Sequence, residues 1–147
     1  MRTTSLLTLL CLSLMISGRS EAVTTNDLKT ARPAALLKNM YAACQRGNQE
    51  QMFALHTKSF EQALLRAPAA KRSEIFAVYC QGIRQIFDQQ LRGDPEGASY
   101  FIKGSDRTKN GQKKSTLCIV PKGQPVNSCT FGFDVAIEGG LLKKDEF

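Results

Sequence analysis

Residues 130–137 read TFGFDVAI, in which Phe131, Phe133, Val135 and Ile137 alternate with Thr130, Gly132, Asp134 and Ala136. A period of two is that of a strand with one buried face, and it places Asp134 out of phase with its apolar neighbours, toward solvent. Earlier in the chain the spacing is helical: Phe76, Cys80, Ile83 and Phe87 stand at i, i+4, i+7 and i+11. The change of period falls after Gly97 and divides the chain into a helical part and a sheet part.

Working outward from the strand, Ser99 to Thr108 and Lys113 to Val120 flank Asn110-Gly111, a pair that tolerates the positive φ of a tight hairpin turn. Lys122-Gly123-Gln124-Pro125 turns the chain again, and a last strand from Leu141 to Phe147 follows Gly139-Gly140. On the helical side, Leu37, Met40, Tyr41 and Cys44 mark an amphipathic helix over 31–46, entered near Pro33 and ended before Gly47. A second helical pattern runs from Asn48 to the break at Ala67-Pro68, and a third covers 70–91, ending at Gly93-Asp94-Pro95. The predicted fold is α+β: three N-terminal helices packed on a curved antiparallel meander of about four strands.

The N-terminus reads as an address. Arg2, the apolar run Leu6 to Ile16 and small residues in Ser20-Glu21-Ala22 make a secretory signal peptide, 1–22, cut after Ala22, followed by a single α+β domain over 23–147. Leu10 stands before Cys11 where a lipid-attachment signal wants a small residue, so Cys11 is expected to leave with the leader. Lys144-Asp145-Glu146-Phe147 is similar to the retention signal Lys-Asp-Glu-Leu, but no Asn-x-Ser/Thr site accompanies it; the periplasm or the exterior of a bacterial cell is the expected location.

Cys44, Cys80, Cys118 and Cys129 then remain, an even number in an exported chain, and none has the spacing of a zinc or redox motif. Two inward cysteines on neighbouring helices pair Cys44 with Cys80. Centring the next turn on Gly123-Gln124 sets Cys118 opposite Cys129 but Phe131 opposite Thr116; a slip of one residue sets Phe131 opposite Leu117 and Cys129 opposite Ile119. A bulge near Pro121 reconciles the two, and the Cys118 to Cys129 disulfide is preferred.

With 147 residues, 42% hydrophobic and 22% charged, the chain is one domain with a core and too short for a multidomain enzyme. Its layout, helices joined through Gln45-Arg46-Gly47-Asn48 and a close in Val135 to Phe147, resembles the nuclear transport factor 2-like (cystatin-like cone) superfamily. That resemblance implies a sheet curled into a pocket for a small ligand or a protein, and dimerisation through the sheet. Cys80-Gln81-Gly82 and Cys118-Ile119 carry a second likeness, to periplasmic immunity proteins of type VI secretion, whose fold is helical and whose Cys-Ile-Pro is interrupted here by Val120.

Catalysis is not expected. His56, the sole histidine, has no acidic neighbour within four positions and reads as a helix-surface or boundary residue; no phosphate loop, paired carboxylates or metal set is present, and no cofactor is expected. One anomaly is a basic hairpin, Lys103, Arg107, Lys109, Lys113, Lys114 and Lys122, able to steer an acidic protein or an anionic envelope polymer, or simply guarding a sheet edge. Export and sparse aromatics disfavour nucleic acid. Tyr41, Tyr79, Phe87, Phe131 and Phe133 form either core or an apolar pocket. The expected function is a non-catalytic exported binding module for a protein partner or small apolar ligand; the alternative is an immunity or inhibitor protein that neutralises a toxin or hydrolase through the basic hairpin.

Overall fold

The computed structural model describes residues 21–109 and 112–145, with the backbone alone for 105–109, 112 and 113. The leader up to Ser20, the Asn110-Gly111 turn, Glu146 and Phe147 lie outside the described residues. Helical segments are α1 (Leu28–Ala31), α2 (Pro33–Arg46), α3 (Gln49–Ala54), α4 (Lys58–Arg66) and α5 (Ala69–Arg84), which passes into a π-helical stretch, Gln85–Gln90. Strands β1 (Ser99–Lys109), β2 (Gln112–Val120), β3 (Phe131–Glu138) and β4 (Leu141–Lys144) form one antiparallel sheet in the order β1-β2-β3-β4.

The α+β division after Gly97 and the four-stranded antiparallel meander are thus as the periodicity predicts. The count of three helices is not. The stretch 48–66 is broken at Leu55-His56-Thr57, because the backbone there bonds to β4 instead: Lys144 N–H donates to Leu55 O and Thr57 N–H to Lys144 O, both at 2.9 Å. The first helix is preceded by α1, and the two are separated by Arg32 in a left-handed conformation (φ 52°, ψ 68°).

Helix ends follow local chemistry. Pro33 opens α2, where its missing N–H costs nothing, and Gly47 closes it with φ 63° and its N–H on the Cys44 carbonyl. Asn48 caps α3 by accepting from Gln51 N–H at 3.0 Å. Leu37, Met40, Ala43 and Cys44 of α2 are buried with Met52 and Phe53 of α3, Tyr79, Cys80 and Ile83 of α5, and Leu117, Ile119, Val135 and Leu142 of the sheet, making one core between helices and sheet.

Both disulfides are present. Cys44–Cys80 joins α2 to α5 with Cα atoms 5.4 Å apart, and Cys118–Cys129 spans 5.0 Å. Neither register considered for β2 and β3 is the one observed: Phe131 lies opposite Ile119, Phe133 opposite Leu117, and Cys118 opposite Gly132. The disulfide therefore forms off-register, Cys129 folding back from the loop ahead of β3. Gly132 permits this packing, since a β-carbon there would run into the Leu117 carbonyl. The two disulfides fit an oxidising compartment, extracellular or periplasmic, and no helix among the described residues is long and apolar enough to cross a membrane.

Candidate ligand cavity

The chain enters the fold as a strap across the sheet. Glu21 and Ile137 exchange both backbone hydrogen bonds, on the side of β3 away from β4. Buried Val23 donates its N–H to Ser115 Oγ at 3.1 Å, whose hydroxyl donates back to the Val23 carbonyl. Thr25 Oγ1 then accepts from Ile102 N–H of β1 at 3.0 Å. Asp27 turns the chain into α1: its carboxylate accepts from Thr24 N–H and Oγ1, which holds the carboxyl below its ordinary value.

Between this strap, the start of α2 and the start of β1 lies a cavity of about 640 Å³. Leu28, Pro33, Ala35, Ala98 and Tyr100 supply apolar wall, while Lys29, Arg32, Lys38 and Glu96 bring charge. Lys38 Nζ meets Glu96 Oε1 at 2.6 Å, tying α2 to the segment before β1. The Tyr100 hydroxyl donates to the Pro95 carbonyl, and burial pushes its pKa upward. A second cavity, of about 530 Å³, lies between the end of the π-helical stretch and the β2–β3 loop and is polar, with Gln89, Arg92, Asp94, Lys122 and Gln124 in its wall.

His56 is buried, 1% exposed, and not a helix-surface or boundary residue as the sequence suggested. The reason is the break it sits in, which packs it between the rings of Phe60 and Tyr79, at 5.1 and 5.0 Å. Its Nδ1 lies 3.0 Å from the Met52 carbonyl, so the proton belongs there, and Nε2 has no hydrogen-bond partner among the described residues. Burial first and the nearby Lys144 ammonium second lower its pKa to about 4. The Lys144 amine itself lies over Tyr79 and Phe133, 4.8 and 5.7 Å from their centroids.

Asp134 also differs from expectation: it is buried and accepts from Thr116 Oγ1 at 2.8 Å across the β2–β3 pair, on a face where Cys118 and Ala136 are buried too. Of the basic hairpin, Lys103 and Lys122 are exposed and Lys114 is buried; the side chains of Arg107, Lys109 and Lys113 lie outside the described residues. Lys103 stands opposite Thr116 in the β1–β2 pair, and Lys122 lies in the loop two residues beyond the end of β2.

Tyr41 stacks on Phe87 at 4.0 Å and donates its hydroxyl to Asp88, while Tyr79, Phe131 and Phe133 pack on the core; none of the five lines either cavity. The residues that do line the larger cavity come from three separate segments, and the only local hint is Arg32-Pro33, since a residue before proline is turned away from helix. No protein-family profile, curated protein or solved structure matches the chain.

Proposed function

We propose that this protein is a non-catalytic exported binding module that holds a small molecule in the cavity between the strap, α2 and β1. The observation that carries the reading is the cavity itself: its volume of about 640 Å³ falls in the usual ligand range of ~300–1,000 Å³, and its wall mixes apolar surface with a few charges. The sole imidazole is buried and lines neither cavity, which supports binding over general-base chemistry. Native mass spectrometry and thermal shift with a set of small alkyl acids, alcohols and amines test it. The expected result is a one-to-one adduct and a raised Tm, both lost in Ala35→Phe, which fills the space; no adduct with any member of the set overturns the reading.

A second reading, an inhibitor that docks an acidic partner, is favoured by one feature. The β1–β2 ribbon pairs through Thr108↔Lys113 and Lys109↔Gln112, beyond Ser115↔Val135, where β3 stops pairing with β2. A two-stranded arm bearing Arg107, Lys109 and Lys113 suits an anionic surface. Retention on a heparin column is expected to fall in Lys109→Glu/Lys113→Glu, and an unchanged elution salt would dispose of it.

A further inference from the structure

We infer that the ligand of the larger cavity is an organic monoanion, a carboxylate on an apolar body, whose charge is met by Lys29 and Arg32. The inference rests on the cavity reading above and adds the chemistry of the head group. Four charged side chains line the cavity, Lys29, Arg32, Lys38 and Glu96. Glu96 and Lys38 neutralise each other at 2.6 Å. Lys29 and Arg32 make no ion pair among the described residues, so the wall carries two positive charges that no salt bridge ties up. Asp27 and Asp94 stand near this wall along the chain but do not line it; Asp94 accepts from Gly97 N–H and Asp27 from Thr24.

The backbone at Arg32 adds to this. A left-handed arginine is disfavoured by ~1–2 kcal/mol, and glycine or asparagine would sit there at lower cost. The turn that the conformation makes sets α1 against the first turn of α2, so that Lys29, Arg32 and the opening residues of a 14-residue helix border one space. The positive end of that helix favours an anion in the same place. Beside the Thr25 hydroxyl, the rest of the wall is apolar, with Leu28, Pro33, Ala98 and the ring of Tyr100 in it. An inorganic phosphate, having no apolar body, would leave that hydrocarbon surface unused.

The test uses the oxidised protein with octanoate, 1-octanol and inorganic phosphate, measured by isothermal titration calorimetry, and Arg32→Gly as the variant. Glycine suits φ 52°, so the variant is expected to fold with an unchanged or higher Tm. A charge-assisted hydrogen bond is worth ~10–100-fold in affinity. Octanoate is expected to bind at least about tenfold tighter than octanol, to weaken with added salt, and to lose that advantage in Arg32→Gly. Equal binding of octanoate and octanol overturns the monoanion while leaving the cavity reading intact. Phosphate binding as tightly as octanoate overturns the apolar body. Failure of both octyl probes removes the cavity reading, and this inference with it.

Discussion

His56 converts burial into a pH response. An unfolded imidazole titrates near ~6.5, whereas the folded ring stays neutral down to about pH 4, held there by burial and by the Lys144 and Lys143 ammonium groups. Above the unfolded value neither state is protonated and the full stability is present. As pH falls from ~6.5 toward 4 the unfolded chain binds a proton that the native ring refuses, so stability declines by ~3 kcal/mol over that window and then levels. Urea titrations at about pH 7 and pH 4 check this, with His56→Leu as the reference that lacks the ring. The wild type is expected to lose ~3 kcal/mol more than the variant between the two conditions; equal losses refute the assignment. Little of this was legible beforehand. His56 is flanked by Leu55 and Thr57 in a helical pattern, and what buries it is a backbone pairing with Lys144 at the other end of the chain.

At the scale of elements, the two disulfides close loops of different length and guard different joints. Cys44–Cys80, 36 residues apart, fastens α2 to α5, and Cys118–Cys129, 11 apart, pins the loop between β2 and β3. Loop-closure entropy assigns ~4 kcal/mol to the first and ~3 kcal/mol to the second. Denaturant midpoints of the two paired Cys→Ala variants are expected to rank in that order, with Cys44→Ala/Cys80→Ala the weaker; the reverse order would show that the sheet loop does more than limit chain entropy. Both pairings were readable from the sequence, because Cys44 and Cys80 lie on inward stripes at helical spacing and Cys118 and Cys129 flank a turn. The register of the same hairpin was not. It is set by Phe131 and Phe133 meeting Ile119 and Leu117 on the core face and by bare Gly132 opposite Cys118, relations between strands that spacing along the chain does not encode. Likewise α5 was expected to continue as an α-helix, and instead widens into a π-helical stretch where Phe87 stacks on Tyr41 and Asp88 accepts its hydroxyl.

For the whole molecule, the passage from helical period to strand period announced the α+β division and the four-stranded meander but not the number of helices, and the candidate cavity stayed invisible. Its walls come from Thr25 to Arg32, from the first turns of α2 and from Glu96 to Tyr100, and no one of these stretches has a composition that signals a ligand. The aromatic residues that did stand out in the sequence are occupied with one another or with the core. The strap has a further consequence for how the chain can be rewired. Glu21 lies against Ile137 on one side of β3, and Lys144 against Val135 on the other, so the ends of the described chain are two strand spacings apart across the sheet and two residues apart along it, ~12 Å. A linker of about six residues spans that gap. New ends opened between exposed Gly123 and Gln124 fall inside the ring closed by Cys118–Cys129, leaving the cut loop covalently held. Such a circular permutant of 21–145 is expected to keep the parent's circular dichroism and nearly its Tm while oxidised. Under reducing agent it should melt well below the reduced parent, since its disulfide has then taken over the task of the peptide bond that was moved.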